Sequence, residues 1–304
     1  MRRLRAIALG LGALVVLAAL ALGAWILSWS VFAARPQAAG RLVLPGLAST
    51  VTVVRDARGI PYVRAGSLHD AYEAQGYVEA QARLFQMDVL RRFVGGRLAE
   101  VFGGSVLALD VMHREIGGER LAQTIYRHAA ADERLALDAY AQGVNAAIAR
   151  GPLPPEFRAL LYRPEVWRPE DSILCGLATV IDLTHTWNQI ALRQAIDDRL
   201  GVRAAEALYP ITDPAYDAPL EGREAPAAAM PPLRGARQTH DDAVVLEAAL
   251  RLPRNADREA SNEWAVGGAR TRSGRALLAN DPHLDYTVPM VWYAIALHAP
   301  GLEV

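Results

Sequence analysis

Apolar residues fill the chain from Ala6 to Ala34 without a single charge, between the basic start Met1-Arg2-Arg3-Leu4-Arg5 and Arg35. A bilayer-spanning helix needs about 20 such residues, whereas the apolar core of a signal peptide is about 7 to 15 long. Length therefore favours an uncleaved signal anchor, while Ala19-Leu20-Ala21 and the stretch Phe32-Ala33-Ala34 offer small-residue cleavage sites for a signal peptide. Trp25 and Trp29 suit an interfacial position, and the arginines on the near side place the amino terminus in the cytoplasm. Residues 1–35 are read as a signal anchor or signal peptide. The remainder is expected to be periplasmic, or otherwise on the extracytoplasmic side of the cell membrane, with a membrane contact through the N-terminal segment.

The pattern then changes period. Leu42 to Val54 alternates partly in apolar and β-branched residues, Asp56-Ala57-Arg58-Gly59 has turn chemistry, and Ile60-Pro61-Tyr62-Val63 resumes an extended pattern, which predicts a hairpin. Ser67, with Asp70 three residues on, can cap a helix. Ala71, Ala74, Val78, Leu84, Phe85, Val89 and Phe93 recur at helical spacing as far as Gly95-Gly96. Two more helices are expected over Ile116–Ala130 and Asp132–Ala149, the second stopped by Gly151-Pro152 and Pro154-Pro155. Another apolar helix begins after Trp167-Arg168-Pro169-Glu170-Asp171, and Gln189 to Leu200 continues helical before Gly201. Residues 67 to 201 thus read as mainly helical.

From Tyr209 to Arg237 six prolines (Pro210, Pro214, Pro219, Pro226, Pro231, Pro232) and the run Ala227-Ala228-Ala229 read as an exposed connector. A short helix is expected over Asp241–Leu252. Beyond Glu259-Ala260 the pattern turns to strand: Glu263-Trp264-Ala265-Val266 and Ala276-Leu277-Leu278-Ala279 are extended, with Gly267-Gly268 and Ser273-Gly274 between them. Helices followed by strands define an α+β chain.

Composition removes several function classes. With 32 Lys+Arg against 33 Asp+Glu over 304 residues there is no field to gather nucleic acid, so no nucleic-acid partner is expected. The 52% hydrophobic content belongs to a core-forming chain. A single cysteine, Cys175, permits neither an internal disulfide nor a zinc cluster. His69, His113, His128, His185, His240 and His298 have no metal-like spacing.

The common catalytic patterns are absent: there is no Gly-x-Ser-x-Gly elbow, no His-Glu-x-x-His and no phosphate loop. What remains is Ser261-Asn262-Glu263-Trp264 at the junction of connector and strands, with Asn280-Asp281-Pro282-His283-Leu284 following. Taken alone, Ser261 reads as a loop or cap serine. A serine exposed by cleavage before it would own both a hydroxyl and a free α-amine, whose pKa near 7.7 to 8.0 lets it accept the hydroxyl proton at neutral pH. One residue would then supply nucleophile and base.

The segments Gly76-Tyr77-Val78-Glu79-Ala80-Gln81-Ala82-Arg83-Leu84-Phe85-Gln86-Met87, Gly96-Arg97-Leu98-Ala99-Glu100 and Ala139-Tyr140-Ala141-Gln142-Gly143-Val144-Asn145 resemble the α-chain of the penicillin acylase (penicillin amidase) family. Ser261 to Gly268, Ser273-Gly274 and Asn280 to Leu284 are similar to the start of that family's β-chain. The resemblance covers about residues 42–304. It implies an N-terminal-nucleophile hydrolase with an αββα sandwich, made as a precursor that cuts itself, discards a spacer and leaves an α/β heterodimer. The implied division is an α-chain region over 36–237, a spacer over 238–260 and the start of the β-chain over 261–304.

Carried over residue by residue, the resemblance makes Ser261 the catalytic serine and Ala260-Ser261 the autoproteolytic bond. Asn262 and Trp264 occupy the supporting positions beside the nucleophile. His283 falls where the family carries Gln in penicillin G acylases and His in cephalosporin and acyl-homoserine lactone acylases. There it can hydrogen-bond the serine, and its backbone can help to hold the oxyanion. No cofactor is implied for catalysis. A structural calcium occurs in several members, held by an α-chain glutamate and β-chain aspartates. Here Leu183 to Arg193 has no carboxylate and Asp182 is the nearest candidate, so calcium is possible but lacks the matching glutamate. The helix around Leu177 to Trp187 would approach the acyl pocket.

The expected substrate is a small-molecule linear amide: the acyl side chain of a β-lactam or a related N-acyl compound. The alternatives are an acyl-homoserine lactone acylase and a non-catalytic, membrane-anchored binding protein. Family precursors are much longer, and 44 residues from Ser261 to Val304 are too few for a two-layer sheet core. The chain is therefore read as a C-terminally truncated precursor, inactive alone and poorly folded at its C-terminal end.

Overall fold

The computed structural model describes residues 2–32, 35, 37, 39–183, 186–208, 261–284 and 287–304. The chain divides into two units, residues 1–180 with 286–304 and residues 181–285. The proline-rich connector, the expected helix over Asp241–Leu252 and the spacer lie outside the described residues. The architecture is α+β, ten helices and six strands among those residues.

Helix α1 (Arg2–Phe32) holds the uncharged run. Its segment Gly10–Ser28 is long and apolar enough to cross a membrane, the one such helix among the described residues, and its side chains are exposed.

The hairpin forms as strands β1 (Thr52–Arg55) and β2 (Pro61–Arg64), antiparallel with Val53 opposite Val63. Its turn is set by Asp56, whose Oδ1 accepts from the Arg58 and Ile60 amides at 2.9 Å each, and by Gly59 at φ 81°. The first strand is shorter than the pattern from Leu42 predicts. The amides of Ala48 and Ser49 are taken by the Asp70 carboxylate at 2.9 and 3.1 Å, which withdraws them from any ladder.

Helix α2 (Leu68–Gly95) is the centre of the first unit. It starts where expected: Ser67 Oγ accepts from the Asp70 amide at 3.1 Å, and Gly96 closes it in the left-handed conformation at φ 65°. Its partner is α6 (Ala131–Arg150). Two glycines permit the close approach: a Cβ on Gly76 would collide with the Tyr140 carbonyl, and one on Gly143 with that of Glu73. Tyr77, Leu84, Met87, Val144, Phe157 and Trp167 fill the core beside this contact. Asn145 ties Trp167 down from both sides, donating from Nδ2 to its carbonyl at 2.8 Å and accepting its amide at Oδ1 at 2.7 Å.

A buried ionic cluster locks α2 to α8 (Pro169–Leu183) and the segment before it. Asp88, fully buried, accepts from Arg91 Nε and Arg92 Nε at 2.9 Å each and from the Tyr162 hydroxyl at 2.8 Å. Arg91 continues to Asp171 at 2.7 Å and Arg92 to Glu100 at 2.6 Å. Burial pushes the Asp88 carboxyl up, but the two guanidiniums outweigh it and hold the group below the ordinary carboxylate range.

Short helices α3 (Ala99–Phe102), α4 (Leu107–Ile116), α7 (Pro155–Ala159) and α10 (Val202–Leu208) are additional to those the periodicity predicts, as is a 3₁₀ turn over Gly104–Val106. Helix α4 is inverted. It buries Asp110 and His113 and exposes Leu107, Val111 and Ile116, so its pattern reads against a helix facing a core. Asp110 is inside because it accepts the Leu98 and Ala99 amides at 2.8 and 2.7 Å. Gly117, left-handed at φ 82°, then separates α4 from α5 (Gly118–His128), so the helix expected from Ile116 starts later.

Residues 286–304 complete the first unit. Strand β5 (Ala296–Ala299) pairs parallel with β2, Val63 opposite Leu297, and antiparallel with β6 (Leu302–Glu303), giving the order β1-β2-β5-β6. The second unit holds α9 (Thr186–Leu200), α10 and an antiparallel hairpin of β3 (Ser261–Val266) and β4 (Leu277–Pro282).

Candidate active site

Strand β3 is described from Ser261, and its register sets Ser261 opposite Pro282, Asn262 opposite Asp281 and Trp264 opposite Ala279. The hairpin therefore pairs Ser261 with Pro282, and His283 follows directly in the chain. The turn that makes this possible is built from Gly267-Gly268 to Gly274, with Gly274 at φ 72° and the Thr271 hydroxyl donating to the Arg275 carbonyl at 2.7 Å.

The polar groups converge on the His283 ring. Its Nε2 lies 3.1 Å from Asp281 Oδ2 and 3.4 Å from Asn262 Nδ2. One nitrogen cannot donate to a carboxylate and accept from an amide N–H in the same tautomer. The shorter, charge-assisted contact favours Nε2–H pointing at Asp281, which leaves Nδ1 with the ring's lone pair and its basicity. Among the described residues no Ser261–His283 hydrogen bond is made. Both strands are exposed along their whole length, Trp264 included. Ala260 lies outside the described residues, and within an unbroken chain the Ser261 nitrogen is an amide, without basicity.

Thus two positions carried over from the resemblance, Asn262 and His283, are in contact, while Ser261, paired with Pro282, lies one position away in the strand on the alternate face of the pleat. Trp264 is two residues further along β3 and contributes no polar contact here. Asp281 is the residue sequence reasoning misses: within Asn280 to Leu284 nothing in the sequence assigns it a role, and the structure sets its Oδ2 on His283. The signal was its place two positions before His283, which puts both side chains on one face of a strand.

The other histidines behave differently. His113 is buried against Phe93, ring centroids 4.1 Å apart, with no partner at either nitrogen. His69 Nδ1 is 3.6 Å from Asp70 Oδ1, and His298 Nδ1 is 4.0 Å from Glu303. His185, His240 and the side chain of Asp182 lie outside the described residues. Among those described, no three His, Cys, Asp or Glu side chains converge as a cation site would require, and calcium enters no step below.

Residues 50–304 match the penicillin amidase family, and the chain belongs to it. It is 35% identical over 279 residues to the acyl-homoserine lactone acylase QuiP of Pseudomonas aeruginosa, covering 88% of this chain and 32% of that protein. It is 36% identical over 268 residues to the penicillin acylase 2 proenzyme of Pseudomonas sp. strain SE83, covering 84% and 33%. Among solved structures, a thermostable penicillin G acylase from Alcaligenes faecalis aligns over 59% of this chain and 98% of that chain, at 30% identity and a TM-score of 0.47. The chain spans about a third of the length of the curated relatives it matches.

Proposed function

We propose that this chain carries the α-chain region and the beginning of the β-chain of an amide hydrolase, and that cleavage of Ala260-Ser261 creates its nucleophile. The observation that supports the reading is the β3–β4 register, which pairs Ser261 with Pro282, the residue between Asp281 and His283, next to the Asn262–Asp281 pair. In the proposed reaction the freed α-amine takes the Ser261 hydroxyl proton as Oγ attacks the amide carbonyl. The tetrahedral intermediate collapses when the leaving nitrogen takes that proton and departs as an amine, leaving an acyl ester on Ser261. Water, deprotonated by the same amine, attacks the ester and releases the acid. Asp281 orients His283, and the basic Nδ1 is the atom the ring can turn toward the nucleophile.

The reading divides the chain as 36–237, 238–260 and 261–304, delivers the product as an α/β heterodimer, and places it beyond the membrane, held or exported by residues 1–35. Beyond the share given to the His283 backbone, the reading assigns the remaining oxyanion donors to the part of the relatives' length that this chain does not span. Removing one such donor costs about 100- to 1,000-fold in rate, so the 304-residue chain alone is proposed to be without turnover.

A second reading keeps the scaffold and changes the acyl group. QuiP is named for action on acyl-homoserine lactones, and His at position 283 suits that branch. Long-chain acyl amides offered against phenylacetyl amides separate the two.

The test is intact-mass measurement and amino-terminal sequencing of the protein expressed from its full reading frame, beside Ser261→Ala. A new chain beginning Ser261-Asn262-Glu263, absent from the variant, is the expected result. Folded protein left whole in both would sink the mechanism and favour a binding role.

A further inference from the structure

The first unit contains a cleft of about 370 Å³ that the hydrolase reading does not use. One wall is a single face of α2, along which Gln75, Glu79, Arg83 and Gln86 succeed one another at helical spacing. The opposite wall is apolar and aromatic, with Leu137, Tyr140, Trp167 and Tyr293 among its residues.

Glu79 sits between these walls. Its carboxylate accepts from the Tyr140 hydroxyl at 2.5 Å and from Gln75 Nε2 at 2.9 Å, both neutral donors. Among the described residues no ion pair reaches it. The natural countercharge would be Arg83, four residues on and in the favourable i, i+4 order. Arg83 turns elsewhere: its guanidinium lies over the Tyr293 ring, 5.6 Å from the centroid, and Nη1 reaches Gln86 Oε1 at 3.5 Å. The cleft therefore holds a carboxylate that no cation pairs with among the described residues: Arg83, on the same wall, is engaged over Tyr293, and Arg91 lies over the Trp167 ring at 4.8 Å.

We infer that this cleft binds a small organic cation, a primary ammonium carried on an apolar group, with Glu79 receiving the ammonium and the Trp167–Tyr293 side receiving the apolar part. A buried carboxylate costs free energy unless it is paired, and burial already pushes the Glu79 carboxyl above its ordinary range, with Tyr140 and Gln75 partly offsetting it. An incoming ammonium supplies the missing partner. The volume is at the small end of ligand sites, which suits a single ring with a short ammonium arm. Cys175 lines the same cleft but does not compete as a ligand, because burial pushes its thiol up to about 12. The inference stands apart from the reading of Ser261 and survives its failure.

The test uses benzylammonium and its neutral isostere benzyl alcohol, titrated calorimetrically into the full 304-residue chain in maltoside micelles, with protein-free micelles as the blank. Benzylammonium is expected to bind about 10- to 100-fold more tightly than benzyl alcohol, the range for a hydrogen bond to a charged group. Glu79→Gln keeps the shape and should erase that preference, leaving the alcohol unchanged. Tyr140→Phe keeps the carboxylate and frees it of one donor, so the preference should persist or grow. Arg83→Gln removes a like charge and should widen it. Equal affinity for the two probes, no binding of benzylammonium, a preference that survives Glu79→Gln or one lost in Tyr140→Phe would overturn the inference. The wild-type comparison stands even if a variant fails to fold.

Discussion

The two regions that carry the family's sequence motifs are built on opposite principles. Around Asp88 of α2, charge is buried and paired: Asp88 and Arg91 are almost completely hidden, Asp88 holds Arg91 and Arg92 within the helix, and Asp171 and the Tyr162 hydroxyl tie the group to neighbouring segments. On the β3–β4 hairpin, every residue of both strands is exposed, including Trp264, Leu277 and Leu278. A two-stranded ribbon is marginal in water without a covered face. Among the described residues, the helical region is thus held by its own interior, whereas the hairpin that bears Ser261 is aligned by backbone pairing and local turn chemistry.

That contrast can be broken most forcefully at Asp88. Asp88→Ala strands Arg91 and Arg92 in the interior, and losing one member of a buried ionic group costs about 3 to 5 kcal/mol. A large fall in the thermal midpoint of the helical signal by circular dichroism is expected. A shift of only a degree or two would mean the cluster is decoration on a core held by Trp167 and Phe157.

A smaller, opposite effect is expected at His113. Burial lowers its basicity, with Asp110 partly opposing, so the unfolded chain binds a proton more readily than the folded one. Its contribution is fully present above the unfolded value near 6.5 and is lost progressively as pH falls from there through the lower folded value. His113→Phe replaces a ring with two unpartnered nitrogens by one that can keep the stack on Phe93. A gain of about 1 kcal/mol is expected at pH 5, and a smaller gain at pH 8. Equal gains at both would show that protonation plays no part.

The smallest effect belongs to the hairpin. Trp264→Ala should leave the melting of the helical region within about 0.5 kcal/mol of wild type, as for an exposed substitution. A loss comparable to that of Asp88→Ala would show that the indole is packed against something and would erase the contrast.

How much of this was legible beforehand follows the same division. Helix α2 could be read to the residue because its limits are chemical: a serine cap at Ser67 and a left-handed glycine at Gly96. The two strands were legible from Glu263-Trp264-Ala265-Val266, Ala276-Leu277-Leu278-Ala279 and the glycines between them, whereas their pairing and the contact of Asn262 with His283 were not, because they depend on register. Helix α4 was not, because Asp110 and His113 face inward and the apolar residues face out. Nor was the role of Asp281, since a carboxylate's partner depends on the register that only pairing reveals. The Glu79–Tyr140 contact joins residues 61 positions apart, and no local period encodes that distance.

The parallel pairing of β2 with β5 has a consequence for the order of events as the chain emerges from the ribosome. Arg55 and Tyr293, which meet at 3.4 Å beside that pairing, are 238 positions apart. The hairpin of β1 and β2 is complete early, yet its free edge waits until Ala296–Ala299 has been made, and closing so long a loop is entropically slow to begin. The same ladder acts afterwards as a clasp. A nick between residues 209 and 260 would leave β2 on one piece and β5 on the other, held together by hydrogen bonds already in place.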